Sequence, residues 1–198
     1  DPQEGSISIG GIDLRDIGSS SLRSIESYVF QNNRLIKGTL LENVRLGRPQ
    51  AGPEEVAEAL RLAQCEDLVA KMPYGLDTLI GPGGTYLSGG EVQRIAIARA
   101  ILRDAPIVIL DEATAFADPE NEHLIQKAFE ELSKGRTVLL IAHRLTTIRN
   151  ADLICVMDRG RIVESGRHDE LMSSAGKYRD MWDDYQKALS WKVKEASA

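Results

Sequence analysis

The sequence has few aromatic residues, two cysteines and no excess of basic side chains. Aromatics make up 5% of its 198 residues, and 24 lysines and arginines against 30 aspartates and glutamates give a net charge of −6. A dedicated nucleic-acid surface needs a basic face, so this balance argues against one. Cys65 and Cys155 are isolated, and each follows or lies within an apolar run. We therefore expect buried free thiols in a reducing compartment, not a disulfide or a metal site.

The sequence also lacks long hydrophobic runs and a phosphate-binding P-loop. The longest apolar runs, such as "TVLLIA" and "IVIL", are far shorter than the roughly 20 residues of a membrane span, and no signal peptide is present. No G-x-x-x-x-G-K-[ST] motif occurs, because the one "GK", Gly176-Lys177, has no glycine five positions before Gly176. The chain starts with "DPQEGSISI" and not with Met, so we expect it to begin inside a domain.

Predicted strands and helices alternate along the chain. "SISIGGIDL" predicts a hairpin around Gly10-Gly11, "IESYVFQ" a strand ending at Gln31, and "LICVMDRGRIVESG" a hairpin turning at Arg159-Gly160. "IVIL" and "TVLLIA" are typical of parallel strands buried on both faces. Helices are predicted at "PEEVAEALRLAQ", at "EVQRIAIARAILR", at "ENEHLIQKAFEELSK" and in the amphipathic tail. The order indicates an α/β domain, in which ligands bind beyond the carboxyl ends of the strands.

Within "EVQRIAIARAILR" the spacing predicts one broad apolar face. Its members are Val92, Ile95, Ala96, Ala100 and Ile101.

Two acids follow the predicted strand "IVIL". Asp111 at the rim of a sheet fits the Walker-B pattern, in which a carboxylate holds Mg²⁺ against nucleotide phosphates. Glu112, one position further, could accept a proton from an attacking water. A solvated pair of acids in a loop explains this stretch equally well when it is taken alone.

Two other predicted strands also end in polar residues. His143 follows "TVLLIA", and it would lie beside Glu112 if the two strands are neighbours, where its imidazole could donate to a γ-phosphate. The amide oxygen of Gln31 is a plausible ligand of Mg²⁺ or water. Considered alone, a histidine at the end of a strand or a glutamine in a loop more often has a structural role than a catalytic one.

The stretch "LSGGEVQR" has two interpretations. Ser88 followed three residues later by Glu91 matches a capping box, in which the glycines would only form the turn. Alternatively, bare N–H groups at a helix start attract phosphate, with the Ser88 hydroxyl as a further donor. Local chemistry does not separate the two.

The motifs taken together do separate them. "LSGGE" followed by "QRIAIARAIL", then "ILDEAT" and "AHRL", in this order resembles the ATP-binding cassette (ABC) ATPases over essentially the whole chain. The resemblance implies ATP and Mg²⁺ as cofactors. It assigns catalysis to Glu112 and His143, the metal to Asp111 and Gln31, and cofactor binding to Gln31, Ser88, Gly89, Gly90, Glu91, Asp111 and Asp118.

The family resemblance implies a P-loop NTPase-like α/β fold, with a mostly parallel sheet, flanking helices and a helical subdomain that carries the signature motif. On this view residues 1–31 and 106–170 form the core α/β subdomain, about 32–105 the helical subdomain, and about 171–198 the C-terminal helices. The sequence is similar to the sequences of exporter-type half-transporters, in which the ATPase domain follows a transmembrane domain.

That subclass implies a location and partners as well. The domain is expected at the cytoplasmic face of the cell membrane, with a second ABC domain docked head to tail, a transmembrane domain as the other partner, and no nucleic acid. Each nucleotide then lies between the P-loop of one domain and the "LSGGE" of the other. "ATAFADPENE" additionally resembles half-transporters of iron-siderophore systems.

Three features depart from the family pattern. The Walker A section is absent, so we expect the N-terminal part of the domain to lie upstream of Asp1 and the chain alone to be inactive. The D-loop reads "AFAD" where exporters usually show "SALD", which puts the packing of Phe116 and Ala117 in question although Asp118 is kept. Pro82 occupies a position where exporters usually have Glu, so a contact with the transporter's cytoplasmic loops would be lost.

Two other functions are alternatives to a transporter ATPase. An ABC-type DNA-repair or chromosome ATPase would carry long coiled coils, and the sequence shows no sustained heptads. A catalytically incompetent ABC subunit that only completes a partner's site would suit the missing Walker A, but such a site usually loses Glu112 or His143.

Overall fold

The computed structural model describes residues 2–30, 33–111, 119–142 and 145–195. The chain divides into two compact units, Asp1–Ile141 and Ala142–Ala198, and each unit has its own cluster of buried apolar side chains. In the described ranges no helix is both long enough and apolar enough to cross a membrane.

Unit 1 contains short strands and helices in alternation. Its strands are β1 Ser8–Ile9, β2 Ile12–Asp13, β3 Glu26–Val29, β4 Gly38–Thr39, β5 Leu79–Ile80, β6 Ile107–Asp111 and β7 Thr137–Ile141. Its helices are α1 Ser19–Ile25, α2 Leu40–Arg45, α3 Pro53–Leu62, α4 Glu66–Ala70, α5 Gly89–Arg103 and α6 Pro119–Ser133. The pairing of β1 with β2 confirms the predicted N-terminal hairpin.

The main sheet of unit 1 is parallel, as predicted, with the strand order β3–β6–β7. Val108 and Leu110 of β6 are buried, whereas the alternate residues of that strand are only half-buried. The expectation that β7 is buried on both faces is wrong, since Leu139 and Ile141 are 58% and 48% exposed. The reason is that Leu139 lies in register with Tyr28 and Ile109 on one face of the sheet. The described residues leave that face more exposed than the face of Val108 and Leu110.

Helix α5 is the central helix of unit 1. It packs against α2, α3, α6 and β3. Of the predicted apolar face, Ile95, Ala96 and Ala100 are buried, but Val92 and Ile101 are only half-buried. The buried surface is wider than that face, and it includes the polar residues Gln93 and Arg94.

Both ends of α5 follow from local chemistry. Ser88 caps the first turn, and Asp104 ends the helix with φ of 55°, a left-handed conformation that asparagine and aspartate tolerate better than most residues. Pro53 begins α3 as predicted, because the first helical position needs no N–H donor.

One apolar cluster joins residues from β3 to α6. It runs from Val29 to Leu132 and includes Leu40, Leu60 and Ile97. The cluster therefore connects segments on both sides of the predicted boundary near residue 105. The finer division into core and helical subdomains stays a prediction.

The described part of unit 2 contains a short 3-10 helix, Leu145–Ile148, followed by a hairpin and two α-helices. Its elements are β8 Ile154–Asp158, β9 Arg161–Gly166, α7 His168–Ser173 and α8 Lys177–Glu195. The hairpin turns at Arg159 and Gly160 as predicted, with φ of 48° and 75°. Cys155 is exposed, so the prediction of a buried thiol holds for Cys65 alone; the two cysteines form no disulfide. In β8 the residues alternate, and Cys155 lies on the face opposite Ile154 and Val156.

Glu164 of β9 caps the start of α8. Its two carboxylate oxygens accept hydrogen bonds from the backbone N–H groups of Lys177 and Tyr178. The first N–H groups of a helix have no acceptor within the helix, so a carboxylate here satisfies them and complements the helix dipole. The cap also positions Tyr178, which is buried. The hydroxyl of Tyr178 lies 2.8 Å from Nδ1 of His168.

We predict that Glu164→Ala destabilises unit 2 by about 1–2 kcal/mol, because two helix N–H groups lose their charged acceptor. Urea unfolding followed by tryptophan fluorescence would measure the loss, since both tryptophans, Trp182 and Trp191, belong to α8 of unit 2. Glu4→Gln, at an exposed glutamate near the N-terminus, is the control. Equal midpoints for the two variants would contradict the capping role.

Candidate functional site

The signature stretch forms the first turn of α5. The backbone N–H of Glu91 donates to Oγ of Ser88 over 3.3 Å, and the N–H of Ser88 donates to Oε2 of Glu91 over 2.8 Å. The N–H of Val92 bonds to the carbonyl of Ser88. The capping box predicted from the sequence is therefore present.

The capping box leaves donors for an anion. Of the first N–H groups of α5, those of Glu91 and Val92 have acceptors, while those of Gly89 and Gly90 have none among the described residues. The Ser88 hydroxyl accepts one bond and keeps its own O–H to donate. The two interpretations of "LSGGE" are thus compatible in one geometry, and the phosphate-binding role itself stays a prediction.

Gly90 lies in tight contact with α6. A Cβ at this position would come within 2.6 Å of Cβ of Asn121, closer than side chains approach one another. Only glycine allows the first turn of α5 to pack this closely on α6, so the position of the turn depends on Gly90.

The loop before the signature is also fixed by glycines. Gly81 has φ of 80°, and a Cβ there would lie 2.4 Å from the carbonyl oxygen of Ile36. The N–H of Gly84 bonds to the carbonyl of Gly81, and the N–H of Thr85 bonds to that of Leu79. The loop therefore approaches the signature in one defined conformation, with Pro82 exposed.

Arg94 fixes α5 from its buried side. The side chain is 1% exposed, and its guanidinium donates to Asp67 Oδ1 over 2.6 Å, to Asn121 Oδ1 over 3.1 Å and to the carbonyl of Gln64. Burial lowers the pKa of Arg94, but the bond to Asp67 and neighbouring charges outweigh it, so the net shift is upward. The guanidinium stays charged and joins α5 to α4 and α6.

The remaining predicted residues lie elsewhere or outside the described residues. Asp111 ends β6 half-buried, opposite Ile141 of β7 in the parallel register. Within the described part of the chain, no hydrogen bond or ion pair joins it to the first turn of α5. Gln31, Glu112, Asp118 and His143 lie outside the described residues, so their predicted meeting at the edge of the sheet stays a prediction.

The carboxylate of Asp111 fits a magnesium ligand, since Mg²⁺ prefers carboxylate oxygens and takes few ligands from the protein. Groups of three or more His, Cys, Asp or Glu side chains able to hold a metal are absent from the described residues.

Sequence reasoning missed a set of polar side chains that join α5 to the rest of unit 1. They are Asn33, Asn43, Gln93, Arg94 and Arg99. The sequence contains one sign of these contacts: glutamine and arginine interrupt the apolar run "VQRIAIARAIL". A helix face that is fully solvated would carry more charged residues than this run does.

Comparison with known proteins identifies the family. The sequence profile described as "ABC transporter" matches residues 1–115, more than half of the chain. The chain belongs to the ABC transporter family. The resemblance predicted from the sequence is thereby confirmed. The chain carries part of the ATPase domain of that family, and the predicted α/β fold is the one that the structure shows.

Three proteins illustrate the similarity of this ABC domain. The mycobactin import ATP-binding/permease protein IrtA of Mycolicibacterium thermoresistibile is 50% identical over 92% of this chain and 20% of its own length. The ATP-dependent lipid A-core flippase of Neisseria meningitidis serogroup A is 51% identical over 90% of this chain and 29% of its own. A bacterial Atm1-family ABC exporter with ATP bound matches with a TM-score of 0.85 and 40% identity, over 93% and 32% of the two chains. This chain thus spans a fifth to a third of the length of these three proteins.

The ion pair of Arg94 predicts a pH dependence of stability. The hydrogen bonds from Arg94 hold the pKa of Asp67 below its ordinary value, against an opposing effect of burial. A lowered pKa contributes stability that is present above the ordinary value and is lost as the pH falls through the folded-state pKa. We expect Asp67→Asn to cost about 1 kcal/mol at pH 7, because Asp67 is 43% exposed and solvent screens the pair.

Urea unfolding between pH 2 and 7 measures this effect. The difference between the parent and Asp67→Asn should shrink as the pH falls below about 4, the ordinary pKa of an aspartate. It should disappear below the lowered pKa of the folded state, where the parent carboxylate is protonated as well. Asp16→Asn, at an exposed aspartate, should show no comparable difference. A gap that stays constant with pH would contradict the assignment.

Gly90 gives a second prediction. Gly90→Ala should destabilise unit 1 by about 1–3 kcal/mol, because the added methyl group overlaps Asn121 and forces α5 away from α6. Thermal unfolding provides the measurement, with Gly18→Ala as the control, since a Cβ on Gly18 meets nothing within 4 Å. Similar losses in both variants would show that close packing at Gly90 is not the cause.

Proposed function

We propose that this chain is part of an ATP-hydrolysing nucleotide-binding domain that powers transport of a substrate across a membrane. The observation that supports it most is the first turn of α5, where a capped helix start presents the N–H groups of Gly89 and Gly90 without a lysine nearby in sequence. Such a start binds phosphate but supplies little charge. The family relationship agrees with this function.

In this proposal a second ABC domain supplies the positive charge that the first turn of α5 lacks. Ser88, Gly89, Gly90 and Glu91 serve the nucleotide held by the P-loop of a partner domain, which docks head to tail. ATP then binds to both domains and stabilises their association, and hydrolysis releases it. The domain acts at the cytoplasmic face of the membrane together with a transmembrane domain of the same or another chain.

The chain's own acidic and amide residues serve the other nucleotide. Asp111 and Gln31 would hold Mg²⁺, which neutralises charge on the phosphates when it is bound. Glu112 accepts a proton from water at its carboxylate, and His143 donates a hydrogen bond towards the terminal phosphate. Asp118 contacts the opposite domain.

The transported substrate is not selected by this domain. Relatives named for mycobactin import and for lipid A-core flipping are 50% and 51% identical to the chain, so the similarity follows the ATPase and not the cargo. The resemblance of "ATAFADPENE" to siderophore systems suits the first of these relatives. We propose that selectivity resides in the transmembrane domain.

Glu112→Gln in the complete transporter tests the catalytic part. ATP binding should stay close to the parent, because the amide has the shape of the carboxylate, whereas steady-state hydrolysis should fall about 10²–10⁴-fold with the loss of the general base. Phosphate release and nucleotide binding are measured on the same preparation. Glu130→Gln, at an exposed glutamate of α6, is the control. Hydrolysis by Glu112→Gln at the parental rate would show that another group acts as the base.

A further inference from the structure

The carboxylate that caps α5 opposes the binding of an anion at the same place. Oε2 of Glu91 accepts a hydrogen bond of 2.8 Å from the N–H of Ser88, so the carboxylate is held in the first turn of the helix. Its negative charge suits the helix start but repels a phosphate bound to the same turn. The N–H groups of Gly89 and Gly90 can therefore bind a phosphate well only if another group offsets the charge of Glu91.

Lys71 lies beside this carboxylate. Its Nζ is 3.9 Å from Oε1 of Glu91, the oxygen that does not accept the bond from Ser88. A separation of 3.9 Å exceeds the length of a hydrogen bond, so this ion pair leaves the N–H donors of the ammonium group free for a ligand. The side chain of Lys71 is 70% exposed, and an anion arriving from solvent can reach it.

The backbone of Lys71 is fixed although its side chain is exposed. Lys71 is the C-terminal cap of α4, and its N–H bonds to the carbonyls of Leu68 and Val69. Helix α4 is joined to α5 by the ion pair of Asp67 with Arg94. The ammonium group is thus kept near the first turn of α5, while its flexible stem can turn it towards a ligand.

The other cation that interacts with Glu91 is not available to a ligand. Arg94 interacts electrostatically with Glu91, but it is 1% exposed and its guanidinium is bonded to Asp67 and Asn121. The carboxylate of Asp67 already balances its charge. Among the described residues, Lys71 is therefore the cation that can offset Glu91 and still face a bound anion.

We propose, on the basis of the function proposed above, that Lys71 is a nucleotide-binding residue of the signature turn. Its ammonium group offsets the charge of Glu91, so that the N–H groups at the start of α5 attract the phosphate chain of the nucleotide held by the partner domain. Glu91 then caps the helix without weakening the anion site. Lys71 does not touch the reacting bond, so its role is in binding and not in catalysis.

Steady-state ATP hydrolysis by the complete transporter tests this role. Lys71→Ala should raise KM for ATP about 3- to 10-fold, and Lys71→Glu should raise it further, because the charge of Glu91 is then left without an offset. Lys71→Arg keeps the positive charge and should stay near the parental KM. The value of kcat should change little in all three variants. Lys134→Ala removes a similarly exposed lysine from an ion pair with Glu131 on α6, and this control should keep the parental KM.

A double-mutant cycle with Glu91→Gln distinguishes a charge offset from a general structural effect. Glutamine can also occupy this position of a capping box, but it carries no charge for Lys71 to offset. Lys71→Ala should therefore raise KM much less in the Glu91→Gln background than in the parent. An equal rise in both backgrounds would overturn the offset of Glu91 by Lys71.

Thermal unfolding of the same preparations separates binding from folding. Lys71→Ala should retain the parental midpoint, because an exposed ion pair contributes little to stability. A lowered midpoint together with a raised KM would assign the change to folding and overturn the binding role. A parental KM in Lys71→Ala, or an equal rise in Lys134→Ala, would overturn the role of Lys71 and leave the proposed function standing. A parent that does not hydrolyse ATP would overturn the proposed function, and the role of Lys71 with it.

Discussion

The guanidinium of Arg94 is buried in unit 1 and bonded to three other segments of the chain. It reaches Asp67 of α4, the carbonyl of Gln64 before that helix, and Asn121 of α6. A buried charge that loses its partners is expensive, so α5 cannot shift relative to these segments without a large loss. The first turn of α5, with Ser88 and the signature glycines, is therefore held in one orientation before any ligand arrives. Preorganised donors bind an anion without a cost of rearrangement.

The other arginines of α5 donate to backbone carbonyls of neighbouring segments. Arg99 bonds to the carbonyls of Arg34 and Asn43, and Arg103 bonds to those of Arg23 and Glu26. Carbonyl groups that have no partner within a helix or sheet need hydrogen-bond donors of this kind when they are covered. One helix thus combines the signature turn at its start with long side chains that hold the neighbouring segments. This arrangement explains why α5 is buried on most sides yet contains arginine.

Features set by neighbouring residues could be predicted from the sequence, and features set by distant segments could not. The capping box of Ser88 and Glu91 and the turn at Arg159 depend on a few consecutive residues, and both are present. Burial of β7 and of Cys155 was predicted wrongly, because it depends on which strand or helix covers each face. Arg94 was overlooked for the same reason: its acceptors lie 27 to 30 residues away, and hydropathy alone assigns arginine to the surface.

Charge explains why the phosphate site proposed at the first turn of α5 needs a second domain. The start of a helix carries about half an elementary positive charge, far less than the charge of a triphosphate. Glu91 adds a negative charge in the same turn, and its nearest cation, Lys71, lies 3.9 Å away and is 70% exposed. The first turn of α5 can therefore orient a phosphate but cannot neutralise it. In the proposed function the cationic half of the site comes from a second domain, and a nucleotide placed between the two halves is then a requirement for their association.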